Sequence, residues 1–291
     1  MLKNKANKKL NFVFWGTPDV ASETLEILKQ NDYIPSLIIT APDKPQGRKM
    51  LITPPPVKIW AIENNVPYLQ PESLAKPFLT RPYFFLKGKG KALLEALPDI
   101  SIVVAYGKII PEEILNLPKL GSINIHYSLL PKYRGASPVE SAILNGDTET
   151  GISIQKMEYK MDTGPIIAQE KIEIEPEEKA SELRKRLIKI GGNLLIKILP
   201  NFINGKIKLI PQDERQASVC KKIKKEDGLV NLEIELPSDL YNKFRAYATW
   251  PRTFFFKEGK RIIITEAKLE NREFKILKII PEGGKEILYK N

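Results

Sequence analysis

The sequence predicts a doubly wound α/β domain followed by a small β domain, and three observations carry that expectation. Between residues 10 and 204, short apolar runs of strand length alternate with stretches of helical periodicity. Several of these runs are apolar throughout, as strands covered on both faces of a parallel sheet are. After a polar, proline-bearing linker at 205–217, the pattern changes to one helix and several short β-type runs, the mark of a second domain at 218–291.

Taken in order, Leu10–Trp15 is the first strand, and Gly16-Thr-Pro-Asp19 turns it into a helix over Val20–Lys29. Pro35–Thr40 is the second strand. A proline-rich, basic loop follows from Ala41 to Pro56, and its last prolines start a helix over Val57–Asn64. Residues 78–92, rich in Lys, Gly and aromatics, fit no regular element and read as an insertion. Ile100–Ala105 and Gly121–His126 are further strands. Gly151–Tyr159 alternates and, with Pro165–Ile174 beyond a Met161-Asp-Thr-Gly164 turn, forms a hairpin. A long amphipathic helix over Glu178–Leu199 closes the first domain. In the second, a helix over Ser238–Ala248 precedes strands at Thr253–Phe256, Arg261–Thr265 and Phe274–Ile280, for which a small barrel is the simplest arrangement.

Composition narrows the function classes. With 42% hydrophobic and 28% charged residues the chain is an ordinary globular protein, and no run reaches the length that spans a bilayer. Its single cysteine, Cys220, excludes an internal disulfide and suits a reducing cytoplasm; one Cys and one His argue against a zinc site, so no metal is expected. The net charge is +11, and residues 205–291 hold 19 Lys and Arg against 13 Asp and Glu, a balance that fits either a polyanionic partner such as RNA or plain solubility.

The only histidine, His126, ends a predicted strand and is the one side chain whose ordinary pKa lies near neutrality. Asn124, two residues earlier, projects from the same strand face. In this architecture ligands bind beyond the carboxyl ends of the strands, so both reach one cleft. A carboxamide donates to an oxyanion without adding charge, and an imidazole moves a proton. Asp162 supplies a carboxylate able to orient the imidazole or hold a water. That set suits acyl transfer to an amine. Asn124 as a turn residue and Asp162 as a backbone cap within Asp-Thr-Gly are the alternatives that spacing leaves open. The chain has neither a glycine-rich dinucleotide fingerprint nor a phosphate-binding loop, and Ser137 and Cys220 lack the context of a nucleophile.

The words Phe14-Trp-Gly-Thr-Pro-Asp19, Pro42-Asp-Lys-Pro-Gln-Gly-Arg48, Val104-Ala-Tyr-Gly107, Ile123-Asn-Ile-His-Tyr-Ser-Leu-Leu-Pro131, Arg134-Gly-Ala-Ser-Pro138 and Met161-Asp-Thr-Gly164 resemble, in order and spacing, the methionyl-tRNA formyltransferases of the folate-dependent formyltransferase group. The resemblance implies a Rossmann-like formyltransferase domain and a small, shortened barrel similar to the oligonucleotide-binding fold. It implies formyl transfer from 10-formyltetrahydrofolate, as cosubstrate, to the α-amine of initiator Met-tRNA, by a cytoplasmic monomer. Asn124, His126 and Asp162 take the catalytic positions. Ser128, Leu129, Leu130 and Pro131 would line the folate pocket, with Tyr106, Gly107 and Ile109 nearby. Lys44, Arg48 and Lys49 would grip the acceptor end of the tRNA, and Lys224 and Arg245, with Lys221, Lys222 and Arg252, its inner side.

Several departures accompany the resemblance. Tyr127 stands where a small residue is usual, and as the neighbour of His126 it should face away from the cleft. The basic loop has fewer lysines than is common, Leu229-Val-Asn-Leu232 replaces an acidic-aromatic segment, and a hairpin's length of chain is missing between Glu270 and Phe274. Two other readings share part of this pattern: a formyltransferase acting on a small amine, such as a ribonucleotide or amino-sugar nucleotide, and a folate- or RNA-binding protein without catalysis. The basic loop and basic C-terminal third argue against the first, and the complete trio against the second.

Overall fold

The computed structural model describes residues 10–47, 49–74 and 97–290; Arg48 and the insertion expected at 78–92 lie outside the described residues. The chain divides into two compact units, one of Met1–His126, Ile154–Ala168 and Gly191–Gln212, the other of Tyr127–Ser153, Gln169–Ile190 and Asp213–Asn291.

The elements run, in chain order, β1 (Phe12–Gly16), α1 (Asp19–Lys29), β2 (Leu37–Ile39), β3 (Lys44–Gln46), β4 (Leu51–Thr53), α2 (Pro56–Glu63), β5 (Tyr68–Leu69), β6 (Ile100–Val104), α3 (Glu112–Leu115) and β7 (Ser122–His126). There follow β8 (Arg134–Gly135), α4 (Pro138–Leu144), β9 (Glu149–Lys156), β10 (Ile166–Glu173) and α5 (Ala180–Ile203). Last come β11 (Val219–Cys220), α6 (Pro237–Ala246), β12 (Phe254–Lys257), β13 (Lys260–Glu270), β14 (Glu273–Pro281) and β15 (Ile287–Leu288).

In the first unit, β1 pairs in parallel with β2 and β6, β2 with β5, and β6 with β7. The full sheet order is β10-β9-β7-β6-β1-β2-β5. The chain therefore winds outward in both directions from β1, which puts the topological switch point between β1 and β6. Every residue of β1 and β6 is buried, which is why these strands are apolar apart from the buried Ser101. One face of the sheet packs Val13, Trp15, Leu37, Ile39 and Val103 against Ile110, Ile114 and Leu115. The helix α1 buries Val20, Ala21, Thr24, Leu25 and Leu28, a stripe of helical spacing, with Asp19 in its first turn and Lys29 in its last to match the helix dipole. Gly16 ends β1 because a Cβ there would lie 2.6 Å from that of Ala21 and 3.0 Å from the Val104 carbonyl oxygen. Only glycine lets the chain enter α1 this close to β6.

The basic segment Ala41–Pro56, expected as a loop, holds a short hairpin instead. Lys44, Pro45 and Gln46 pair with Thr53, Ile52 and Leu51. Its proline content hides the strand, yet a two-stranded ribbon has free edges where a missing N–H does no harm. The base of the hairpin is anchored by Asp43, whose carboxylate accepts from Gln70 Nε2 (2.7 Å) and Lys58 Nζ (2.6 Å). These two donors, Gln70 first, hold its pKa below the usual carboxylate range.

In the second unit, β12-β13-β14-β15 form an antiparallel sheet. Its core joins Val230, Leu240 and Phe244 to Phe255, Ile262, Ile264 and Ile279. The strand β13 runs to Glu270, beyond the expected Thr265, because its polar outer half is matched across the ladder: Glu266 faces Lys278, and Lys275 bonds Glu270 (2.8 Å). Asn271 and Arg272, at φ 52° and 64°, make the tight two-residue turn where the sequence is short. No described helix is long and apolar enough to cross a membrane.

Candidate active site

The site is built at the carboxyl end of β7. Asn124 and His126 leave the same strand face; Asn124 is half-buried and His126 only 5% exposed. Among the described residues no hydrogen bond engages the Asn124 carboxamide. Asp162 arrives from the turn between β9 and β10. Its φ of 54° is left-handed, a conformation that a short polar side chain tolerates better than most. The turn closes through Gly164, where any Cβ would strike the Lys156 carbonyl oxygen at 1.8 Å. This folding-back brings Asp162 Oδ2 to 3.7 Å from His126 Nδ1, with both side chains largely buried. That distance is long for a direct hydrogen bond but lets the carboxylate stabilise an imidazolium, with less screening than at the surface.

Two residues that sequence reasoning passed over meet this carboxylate. Gln155, on β9 and 1% exposed, donates from Nε2 to Asp162 Oδ1 at 2.8 Å. Gln212 donates from Nε2 to the backbone carbonyls of Asp162 (2.9 Å) and Gly164 (2.7 Å). It is brought there by the bridge between Ile166 and Ile210. Ile210, within the predicted linker, is thus paired with Ile166, the first residue of β10. The only sequence signal for Gln155 was its place in an alternating strand, where the pattern assigns polar residues to solvent; Ile152, Ser153, Ile154 and Gln155 are in fact all buried. For Gln212 there was none, since its partners lie some 50 residues away.

Of the residues expected beside the folate, Gly107 is exposed and Ile109 is 69% exposed beyond β6. Tyr106 differs. Its ring is 3% exposed and sits edge-on to Trp15, 5.2 Å between centroids, so the side chain belongs to the core and only its backbone reaches the switch point. There its carbonyl accepts from Thr17 Oγ1 at 2.9 Å, tying the ends of β1 and β6 together. Burial pushes its phenol up to about 12, removing it from proton transfer at neutral pH.

In the second unit, the Ser128–Pro131 turn is shaped from within. Ser128 is fully buried and its hydroxyl donates to the Lys132 carbonyl (2.6 Å), which shapes the turn. Ser153 Oγ accepts from the Leu130 N–H (2.9 Å) and donates to the Ser128 carbonyl (2.7 Å), and Gln169 Nε2 donates to the Leu130 carbonyl (2.8 Å). Leu129 and Pro131 are left half-buried. Tyr127 is buried, 9% exposed.

Lys44 and Lys49 are exposed on the basic hairpin, as are Lys221, Lys222 and Lys224; Arg252 is half-buried. Arg245 does not fit an RNA surface. It is 6% exposed, donates to Asn242 Oδ1 (2.7 Å) and the Glu178 carbonyl (3.3 Å), and lies over the Tyr241 ring. Its position on the packed face of α6 explains the mismatch: a basic residue read by charge alone is here a buried structural donor. Arg245→Ala should lower stability by about 1.5–3 kcal/mol, the range for hydrogen bonds to charged groups. A thermal melt measures this, and the salt dependence of RNA binding should stay unchanged.

Comparison with known proteins identifies the family. Residues 8–199 match the formyl transferase family and residues 222–288 its C-terminal domain. Among curated proteins, the methionyl-tRNA formyltransferase of Caldicellulosiruptor saccharolyticus is 41% identical over 268 residues, covering 91% of this chain and 82% of that protein. That of Kosmotoga olearia is 44% identical over 243 residues, covering 83% and 74%. Among solved structures, an N-formyltransferase from Helicobacter canadensis, in complex with folinic acid and dTDP-3-aminofucose, superposes with a TM-score of 0.67 at 19% identity, covering 97% of this chain and 100% of that one. The methionyl-tRNA formyltransferase of Clostridium thermocellum gives 0.58 at 16%, with the same coverage. At those identities the structural likeness speaks for the fold, and the sequence relatives speak for the family. By the family models and these sequence relatives, the chain belongs to the formyl transferase family, and to the methionyl-tRNA formyltransferases within it.

Proposed function

We propose that this protein moves a formyl group from 10-formyltetrahydrofolate to the α-amine of initiator methionyl-tRNA, and that Asn124, His126 and Asp162 carry the reaction. The observation that supports this most directly is the imidazole–carboxylate approach of 3.7 Å at the end of β7, with an uncommitted carboxamide two residues earlier on the same face. The neutral amine attacks the formyl carbon and a C–N bond forms; the carbonyl oxygen becomes an oxyanion that accepts hydrogen bonds from Asn124. His126 takes the proton released by the amine, and Asp162 stabilises the resulting imidazolium. The bond from the formyl carbon to N10 then breaks, and the proton passes to N10.

Leu129, Leu130 and Pro131, with Gly107 and Ile109, hold the folate in this proposal. Ser128 shapes their turn. Lys44, Arg48, Lys49 and Lys224 hold tRNA phosphates, for which cationic side chains supply most of the affinity. The catalytic domain spans 10–204 and the tRNA-binding domain 218–291, joined by 205–217. The protein works in the cytoplasm as a monomer.

The test is formyl transfer to initiator Met-tRNA, with a small ribonucleotide amine and an amino-sugar nucleotide run beside it, repeated with His126→Ala. Formylated Met-tRNA that is lost in the variant is the expected result. Transfer to a small amine alone would overturn the tRNA assignment while keeping the chemistry.

A further inference from the structure

We propose that Gln155 is a positioning residue for the reaction, acting through Asp162, with Gln212 holding the same turn by its backbone; this deepens the proposed function and rests on it. The Asp162 carboxylate has two oxygens with two different neighbours. Oδ1 accepts from Gln155 Nε2 at 2.8 Å, and Oδ2 faces His126 Nδ1 at 3.7 Å. A carboxylate held only at its backbone rotates about χ2, a broad torsion. The Gln155 donor narrows that freedom at Oδ1, with Oδ2 on the side of the imidazole. Gln212, donating to the carbonyls of Asp162 and Gly164, holds the left-handed backbone that puts the side chain there.

Packing alone does not call for an amide at position 155. The side chain is 1% exposed, and its Oε1 is buried with no hydrogen-bond partner among the described residues. A buried acceptor left unsatisfied is a cost that an apolar side chain of similar length would avoid. What the amide adds is the single bond to Asp162. Its neighbours on β9, Ile152 and Ile154, are fully buried, so the strand itself has apolar material to spare for its packing.

The single histidine allows a direct test, because the imidazole NMR signals of this chain come from His126 alone. We would compare wild type, Gln155→Met, Gln155→Glu, Gln212→Leu and Asp162→Asn by the NMR titration of His126, by kcat and KM for Met-tRNA and the formyl donor, and by thermal melting. The titration midpoint of His126 should shift in Gln155→Met in the same direction as in Asp162→Asn, by less. Activity per folded molecule should fall about 10- to 100-fold in kcat, the scale of one hydrogen bond to a charged group, with both KM values unchanged. Gln212→Leu should change kcat in the same direction. In Gln155→Glu a second carboxylate sits against the first, the two cannot both be charged cheaply, and the acid limb of the kcat/KM profile should move to higher pH. A His126 midpoint that stays at its wild-type value in Gln155→Met, while Asp162→Asn moves it, would overturn the proposal. So would a change in KM alone, or a loss of activity that disappears once the folded fraction is counted. Absence of formyl transfer in the wild type would count against the proposed function instead, and the titration would still decide the role of Gln155.

Discussion

Asn124→Ala should lower kcat for formyl transfer by about 100- to 1000-fold, the usual effect of removing one oxyanion donor, while the variant still binds the formyl donor. The size follows from where the charge develops. In the ground state the formyl oxygen is a neutral amide oxygen, well served by water or a weak donor. In the tetrahedral state it carries most of a negative charge inside a cleft where screening is reduced, and a fixed donor there gains strength as the reaction proceeds. Asn124 meets the structural conditions for that part: it shares a strand face with His126, and no hydrogen bond among the described residues ties up its carboxamide. Asn124→Asp should be at least as damaging, because an acceptor would then face the oxyanion. Single-turnover rates with saturating donor, beside donor affinity measured by fluorescence, separate chemistry from binding. A rate near wild type with donor binding intact would remove Asn124 from the mechanism.

The placement of Asn124 and His126 on one strand face, with Asp162 on a nearby turn, was legible in the sequence because each depends on local rules. The period of a strand sets two of them on one face, and an Asp-Thr-Gly turn between two strands presents the third. The parallel core was legible for a similar reason: strands as short as Phe12–Gly16 and Ile100–Val104, the second interrupted only by Ser101, are this apolar only when both faces are covered. What failed to show was decided by tertiary contact. Gln155 obeys the same alternation as a solvent-facing residue, and only the covering of β9 on both sides makes it a buried donor. Gln212 reaches Asp162 through the Ile166–Ile210 bridge, which no local pattern announces. Arg245 and Tyr106 depart from the sequence reading in the opposite way, by being buried. Each has the chemistry expected of a binding residue, but the guanidinium is taken up by carbonyl groups and the phenol ring by Trp15. Residue type indicates what a side chain is able to do; the packing around it determines what it does.

Salt should separate an RNA substrate from a small one. If Lys44, Arg48, Lys49 and Lys224 each neutralise one phosphate, raising salt from about 50 to about 200 mM should weaken Met-tRNA binding roughly 50- to 150-fold, since counterion release scales with the number of phosphates contacted. Replacing any one of the four by alanine should reduce the log–log salt slope by about one and weaken all tRNAs to a similar extent. The formyl donor is far smaller than a tRNA and spans few such contacts, so its KM should change little over the same range. The hairpin is a suitable place for such contacts: β3 is exposed along its whole length, while the Asp43 anchor to Gln70 and Lys58 fixes its base and limits the order that must be gained on binding. Arg245→Ala is the internal control, because it removes a positive charge from the second unit without touching its exposed surface. A salt slope unchanged in Lys44→Ala, Lys49→Ala and Lys224→Ala but reduced in Arg245→Ala would reverse the assignment made from burial. A slope near zero in the wild type would mean that the basic balance of this chain serves solubility and that its substrate is not a tRNA.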